Sequence, residues 1–226
     1  MKSFFFKVKN WLVIGLIFIL LSSVYSGIVA SCVANYNGLT IVIDAGHGGR
    51  DGGSVGINGT IEKEINLIYA NALKAKLVCA GYRVEMTRKN DEGLYSNLAT
   101  NRKKSDMNER MKVIKKANPN LVISIHMNSF ADSSVSGAST FYRKGDESGK
   151  LCAEYIQGAL NKNCNQKNTK SKVGDFYLLN CSYYTAVLIE CGFLTNPDEE
   201  RLLNTEEHRN KIVDAIYKGV LLYFGY

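Results

Sequence analysis

The sequence lacks the motifs of several common enzyme chemistries. No pair among its six cysteines has the Cys-x-x-Cys spacing, which argues against a thiolate zinc site or a thioredoxin-like redox motif. No Gly-x-Ser-x-Gly segment is present, so the chain carries no nucleophile elbow of the serine-hydrolase type. A glycine-rich turn follows residue 45, but Asp51 stands where a GxGxxG nucleotide loop needs its third glycine.

Linkers, repeats and nucleic-acid motifs are also missing. The chain has only two prolines, no Pro/Ser-rich stretch and no internal repeat, which favours one domain. Hydrophobic residues make up 46% and charged residues 22%, as is typical of a globular protein. The net charge of +7 suits an anionic polymer. The one basic run, Arg102 to Lys104, is typical of a solvated face, and we expect no nucleic-acid partner.

The first 33 residues have the pattern of a targeting segment. Lysines precede a short apolar run at 11–21, in the order typical of a secretory signal peptide. The apolar character extends weakly to Ala30, so a retained anchor near the ~20 residues that a bilayer requires is the alternative. The VASC segment that ends at Cys32 also resembles a lipidation site. We expect residues 1–33 to be a signal peptide or membrane anchor, and the membrane to be contacted only there.

From Thr40 onward the chain alternates between strand-like and helix-like patterns. Apolar residues at helical spacing predict a helix at 62–80, which Gly81 ends. The other predicted elements are strands at 39–43, 82–86, 121–125 and 138–142 and near Phe176 and Val187, and helices at 107–117, 147–160, from Pro197 and at 206–223. Segments 90–106 and 161–173 are polar and are expected to be loops. This order predicts an α/β fold, a single domain over 39–225 with a mostly parallel central sheet flanked by helices.

Polar side chains stand where three of the predicted strands end. His47 follows the first strand within the glycine-rich turn, and His126 and Glu190 end two later apolar runs. Binding sites in α/β sheets form at the carboxyl ends of strands. Two strand-end histidines therefore favour a metal site, with Asn128 adding a polar group beside the second. The alternatives are a turn histidine without a ligand, a core histidine, and a buried ion pair for Glu190.

A further ligand is expected from the start of the first predicted helix. Glu62 and Glu64 both lie near its N-terminus, where either could instead favour the helix dipole. Positions two apart diverge on a helix, so only one of them can join the site, and the pattern does not choose between them. Two histidines and a glutamate match the three protein ligands of a catalytic zinc. A nearby carboxylate such as Glu190 would then serve as general base.

The cysteines and the third histidine are expected to lie outside this site. The cysteines occur in apolar helix and strand contexts, so we expect buried free thiols. Cys191 follows Glu190 in a strand and should point to the opposite face. His208 lies among charged residues of the last helix and is expected to be a surface residue.

Four segments occur in an order that resembles one enzyme family. They are DAGHGGRDGG at 44–53, Glu62-Lys63 before an amphipathic helix, SIHMNS at 124–129 and ECGFLTNPDEE at 190–200. Together they resemble the zinc-dependent N-acetylmuramoyl-L-alanine amidases of the Amidase_3 type, over about residues 39–225. The short leader and compact domain are most similar to the germination-specific branch that acts on spore cortex. Ala45 departs from the proline that the family commonly has there.

The resemblance implies a peptidoglycan hydrolase that cleaves the amide between N-acetylmuramic acid and L-alanine. It implies a Zn²⁺ cofactor held by His47, Glu62 and His126, with Glu190 as the catalytic base. The candidates for weaker substrate contacts are Asn128, Arg88 and Asn196, of which the last two could equally brace loops.

The resemblance also bears on regulation and location. Some relatives carry an extra helix over the active site, and this sequence has no insertion long enough for one, so we expect a regulatory protein partner instead. The enzyme should be exported and act outside the cytoplasm, in the cell wall or the forespore intermembrane space. A zinc peptidase acting on stem peptides and a non-catalytic wall-binding protein are the two alternatives.

Overall fold

One sheet of six strands forms the centre of the molecule, in the order β2-β1-β3-β6-β4-β5. The computed structural model describes residues 36–165, 167–181 and 183–226. The strands are β1 (Thr40–Ala45), β2 (Arg83–Met86), β3 (Leu121–Asn128), β4 (Ser139–Tyr142), β5 (Lys172–Val173) and β6 (Ala186–Phe193). The helices are α1 (Glu62–Cys79), α2 (Arg102–Ala117), α3 (Glu147–Asn163), α4 (Tyr177–Cys181), α5 (Pro197–Leu203) and α6 (Glu206–Phe224). Neighbouring strands are parallel except β4 and β6, which confirms the predicted α/β fold.

Helices cover both faces of the sheet because its central strands are apolar on both sides. Every residue of β1 and β6 is buried, as is typical of parallel strands enclosed by helices. Ile41 and Ile43 belong to the core on the side of the sheet that α1, α3 and α6 cover, whereas Val42 belongs to the core on the side of α2 and α4. Since successive strand residues point to opposite faces, Asp44 lies on the α2 side with Val42.

The same alternation separates Glu190 from Cys191 in β6. Leu188 belongs to the α2 side of the sheet, and Ile189 and Cys191 belong to the other. Cys191 is buried, and burial raises the pKa of its thiol well above the ordinary value. The prediction that Cys191 points away from the site is confirmed.

Three local predictions are wrong. Helix α2 begins at Arg102, earlier than predicted, because the Asn101 side chain accepts a hydrogen bond from the Lys104 amide and caps the helix. Residues 177–181 form the short helix α4 where a strand was expected. Residues 172–173, expected to be loop, pair with β4 as the edge strand β5.

The cysteine prediction is correct only in part. Cys152 and Cys191 are buried, but Cys79 lies exposed at the end of α1, where the helix meets solvent.

The predicted targeting segment 1–33, which includes Cys32, lies outside the described residues. Each helix in the described part of the chain is too short or too polar to cross a membrane.

Candidate metal centre

The turn after β1 holds His47 in an uncommon backbone conformation. Its φ angle is 62°, in the left-handed region that few residues other than glycine adopt. The Gly48 amide donates to the Asp51 carbonyl at 2.9 Å, and the Asp51 amide donates back at 3.1 Å. Arg110 of α2 donates a further hydrogen bond to the His47 carbonyl. The turn is thus fixed both by its own backbone hydrogen bonds and by the Arg110 side chain from helix α2.

Arg110 is fully buried and forms ion pairs with two carboxylates, that of Asp44 near the end of β1 and that of Asp106 on α2. The guanidinium donates to Asp44 Oδ1 at 2.6 Å. The Asp44 carboxylate also accepts hydrogen bonds from Ser124 at 2.6 Å and Thr87 at 2.7 Å. Burial by itself would raise the pKa of Asp44, but Arg110 and the two hydroxyls outweigh it and lower the pKa to about 2. A charged carboxylate at this position therefore anchors the arginine that holds His47.

Strands β3 and β6 bring the next two polar side chains to the turn. His126 is paired in register with Glu190 across the two parallel strands. Gly46 lies so close to the His126 ring that a Cβ there would be 2.3 Å from Cε1. Glycine is required at this position because any side chain would displace the imidazole.

Glu62, the first residue of α1, lies between the two histidines. Its Oε1 is 3.1 Å from His47 Nε2 and 3.0 Å from His126 Nδ1. One ligand atom of each of these three residues lies within 4.8 Å of the others. Glu62 is 3% exposed whereas Glu64 is exposed to solvent. The geometry thus brings Glu62, and not Glu64, into the cluster.

The Glu62 carboxylate is oriented by three donors. The Ser54 amide donates to Oε2 at 2.8 Å, and the Met127 amide and the Asn66 side chain each donate to Oε1 at 3.3 Å. Burial by itself would raise the pKa of Glu62, but hydrogen bonds and charge from the two imidazoles outweigh it and hold the pKa well below the usual range. Glu62 is therefore an anion fixed in one orientation.

His47 is braced on its other ring nitrogen by Asp51. Asp51 Oδ2 lies 3.0 Å from His47 Nδ1, at ion-pair distance although the direction is not that of a hydrogen bond. Burial lowers the pKa of His47, but Glu62 and Asp51 together raise it above the ordinary value. A carboxylate on the outer nitrogen of a metal-ligating imidazole fixes the orientation of the ring.

Glu190 is a buried carboxylate whose Oε2 has no hydrogen-bond partner among the described residues. It is 8% exposed. Burial, together with the negative charge of Glu62, outweighs the two histidines and raises the pKa of Glu190 to about 7. Such a carboxyl exchanges its proton near neutral pH, as a general acid–base group must.

These side chains line one open cavity of about 570 Å³ at the carboxyl ends of β1, β3 and β6. Its walls also include Lys103 and Met107 of α2, and Phe176, Tyr177 and Leu178 at α4. Two imidazoles and one carboxylate form a donor set that zinc commonly takes, with a fourth position left for water or substrate. The cluster of His47, Glu62 and His126 therefore fits a metal ion in its chemistry, its spacing and its position in a cavity.

The three predicted substrate-contact residues occupy different places. Asn128, at the end of β3, lines the cavity. Arg88 is 2% exposed and lies below the glycine turn, where it donates to the carbonyls of Ala45, Gly46 and Lys63. Asn196 caps α5 by accepting hydrogen bonds from the next amides. The placement of Arg88 and Asn196 favours the alternative that they brace loops.

Several supporting residues were not singled out from the sequence. The sequence did indicate a supporting role for Asp51, since it follows His47 by four residues in the same turn. The indication for Arg110 was weaker. This residue occupies the apolar stripe of α2 between Met107 and Ile114, where an arginine needs a buried partner. Ser54 acts through its backbone amide, which no side-chain pattern could indicate.

Comparison with known proteins shows which family the chain belongs to. Residues 41–221 match the family model described as N-acetylmuramoyl-L-alanine amidase. The germination-specific N-acetylmuramoyl-L-alanine amidase of Bacillus subtilis is 36% identical over 192 residues, covering 83% of this chain and 81% of the relative. The amidase LytC of the same organism is 33% identical and matches over 83% of this chain but only 36% of its own length.

Solved structures agree with this match. The CwlD amidase from Clostridioides difficile, determined in complex with the GerS lipoprotein, superposes with a TM-score of 0.76 at 37% identity, covering 82% of this chain and 98% of that one. The catalytic domain of CwlV from Bacillus (Paenibacillus) polymyxa superposes with a TM-score of 0.72 at 29% identity, covering 82% of this chain and 98% of that one. With its motifs, its sheet and its match over residues 41–221 in agreement, the chain belongs to the N-acetylmuramoyl-L-alanine amidase family.

Proposed function

We propose that this amidase hydrolyses the amide between the lactyl group of N-acetylmuramic acid and L-alanine at the His47–Glu62–His126 cluster, with Zn²⁺ as its metal. The observation that carries the proposal is the position of Glu190. A buried carboxyl with a pKa near 7 and an unpartnered oxygen lies in register with His126 and lines the same cavity. A purely structural carboxylate would be hydrogen-bonded in such a place.

The three clustered residues would hold the zinc ion. His47 and His126 offer imidazole nitrogens, and Glu62 offers an anionic oxygen that is already oriented by the Ser54 amide. Zinc in such a site polarises the scissile carbonyl and lowers the pKa of a bound water to about 7.

Glu190 is the proposed general base. Its Oε2 accepts a proton as water attacks the carbonyl carbon, and the protonated carboxyl then donates it to the alanine nitrogen as the C–N bond breaks. Burial supports both steps, because it brings the pKa of Glu190 close to neutrality. The products are a free lactyl carboxylate on the glycan and a stem peptide with a free amino end.

Asn128 is the proposed substrate contact of the three candidates, since its side chain lines the cavity beside the cluster. Arg88 and Asn196 act indirectly, by supporting loops and not by contacting the substrate. Arg88 joins the turn after β1 to the start of α1 through the Gly46 and Lys63 carbonyls, and so supports the positions of His47 and Glu62.

The proposed setting is outside the cytoplasm, in modification of the spore cortex. The germination-specific relative and the CwlD structure support this setting. The GerS lipoprotein in the CwlD complex supports a protein partner for this chain, which we propose to be regulatory. Residues 1–33 are the proposed export signal or anchor, and a chain that begins at Val33 should therefore still fold and bind zinc.

Product identity tests the function. Zinc-loaded protein is incubated with purified sacculi and the released fragments are identified by mass. We expect intact stem peptides with free alanine amino ends. Shortened stems with the lactyl amide intact would indicate a zinc peptidase, and no release would indicate a wall-binding protein.

The Glu190→Gln variant tests the mechanism in the same assay. Its turnover should fall by about 10²- to 10⁴-fold, the usual loss when general acid–base help is removed, with the zinc content unchanged. The matched control is Glu64→Gln, which neutralises an exposed glutamate on α1 next to the site. Wild-type turnover in Glu190→Gln would refute the assignment of the base.

A further inference from the structure

A second cavity borders the metal-site cavity along helix α2. Its volume is also about 570 Å³. Tyr177 of α4 lines both cavities, and its hydroxyl donates to Asn108 Oδ1 at 3.0 Å. We call this second cavity the α2 groove, and its walls include Thr100, Lys104, Asn108, Lys112, Lys115 and Tyr177. No step of the proposed hydrolysis uses it.

The α2 groove is strongly basic. Lys104, Lys112 and Lys115 lie at helical spacing along its length, and the one acidic wall residue, Glu109, pairs with Lys112 at 2.6 Å. Among the described residues, Lys104 and Lys115 have no ion-pair partner. Lys103, one residue away, lines the metal-site cavity instead. Lys103 therefore places one positive charge at the metal-site cavity, beside the lysines of the groove.

The length of the groove sets the size of the ligand. Lys104 and Lys115 are eleven positions apart on α2, which corresponds to roughly 16 Å at 1.5 Å per residue. An extended peptide spans about 3.3–3.6 Å per residue, so four or five residues would cover this distance. Lysine ammonium groups on flexible stems suit carboxylates in several orientations. The ligand indicated is a short extended peptide with several carboxylates.

We propose that the α2 groove binds the stem peptide of the substrate through its free carboxylates, while the peptide's first amide lies at the metal site. This inference rests on the amidase function proposed above. The stem peptide is short, its L-alanine end is fixed at the scissile bond, and its carboxylates lie further along the chain. The glycan strand carries no charge where its lactyl groups are amide-linked to stem peptides, and so it offers no such match to the lysines.

Paired soluble substrates test the groove. One is a muramoyl peptide with free stem carboxylates, and the other is the same compound with those carboxylates amidated. The test variant is Lys104→Gln/Lys115→Gln. The control is Lys162→Gln/Lys218→Gln, which removes two exposed lysines from the distant face formed by α3 and α6.

On the free-acid substrate the test variant should lose between about 2- and 30-fold in kcat/KM, since each exposed charge pair contributes a few-fold. The loss should appear in KM with kcat unchanged, as expected when binding is weakened equally in ground and transition states. It should shrink in high salt and vanish on the amidated substrate. The control variant should match wild type on both substrates.

Other outcomes overturn the proposal in distinguishable ways. Equal losses on both substrates, or none, would show that the groove does not recognise stem carboxylates. A loss seen only on walls that carry phosphate polymers, and not on the soluble compounds, would assign the groove to those polymers. If wild type cleaves neither the soluble substrates nor sacculi, the proposed amidase function itself is refuted. That failure would concern the metal site and not the α2 groove.

Discussion

Arg110 donates a hydrogen bond to the backbone carbonyl of His47 and lies 2.6 Å from the carboxylate of Asp44. One buried guanidinium thus connects a charged residue of β1 to the left-handed backbone of a proposed metal ligand. Because an unfavourable φ persists only where surrounding contacts enforce it, this pair is what keeps the imidazole of His47 aimed at Glu62.

Replacing Arg110 with methionine should therefore destabilise the fold and weaken metal binding together. Removing one partner of a buried ion pair leaves the other uncompensated, which costs about 3–5 kcal/mol. Arg201 offers a control, because it pairs with Asp198 on the exposed surface of α5, and Arg201→Met should change stability by less than about 0.5 kcal/mol. Urea unfolding measures both variants. Similar losses in the two would contradict the anchoring role.

The Asp44 carboxylate should make stability depend on pH in the acid range. Its pKa falls from the ordinary value of 3.8 to about 2 in the folded protein. The lowered pKa means that the stabilisation is present above about pH 4 and is lost as pH falls through 2. The loss should amount to about 2 kcal/mol. Urea midpoints at pH 5 and pH 2.5 should show that Asp44→Asn loses less stability over this interval than wild type, and equal pH slopes would contradict the assignment.

Gly46 should tolerate no side chain. In Gly46→Ala the new Cβ would lie 2.3 Å from Cε1 of His126, so the ring must move and zinc affinity should fall by about 10- to 100-fold, as when a ligand loses its orienting contacts. Gly158→Ala in α3 is the matched control, since nothing lies within 4 Å of its Cβ position. That substitution should stabilise the protein by about 0.5–1 kcal/mol. Titration with zinc in competition with a chelator measures the affinities, and wild-type affinity in Gly46→Ala would refute the close approach.

Zinc content should depend on two histidines and not on the third. His47→Ala or His126→Ala should lose most of the metal and all turnover, while His208→Ala on α6 should keep both. A chelator should abolish wild-type turnover, and added zinc should restore it. Full activity in metal-free His126→Ala protein would exclude the proposed centre.

Sequence patterns predicted β1, β2, β3, β4 and β6 and the positions of the strand-end residues because both depend on local periodicity, but they missed the two-residue edge strand β5. Apolar runs that lead into His47, His126 and Glu190 indicated the strands and the polar residues at or just after their ends, without knowledge of the partners. The short helix α4 was missed, since five residues are too few for a helical period to appear. The early start of α2 was missed because the cap at Asn101 lies in a polar segment that resembles a loop.

The supporting contacts could not be predicted in the same way because they join distant parts of the chain. Arg110 reaches Asp44 across 66 positions, and the Ser54 amide orients Glu62 through a backbone group that every residue has. The choice between Glu62 and Glu64 likewise required the direction of α1 relative to the sheet. Periodicity contains none of this information, whereas packing determines all of it.

The position of β6 in the sheet has a consequence for when the enzyme becomes active. Of the six strands that the described residues form, β6 comes last in sequence, yet it lies between β3 and β4. Until it arrives, β4 and β5 have no strand through which to join β1, β2 and β3. Glu190 is delivered by this same strand. A nascent chain in which residues from Ala186 onward have not yet been synthesised therefore lacks both the central strand and Glu190, so the hydrolytic site cannot form until this segment has emerged and folded.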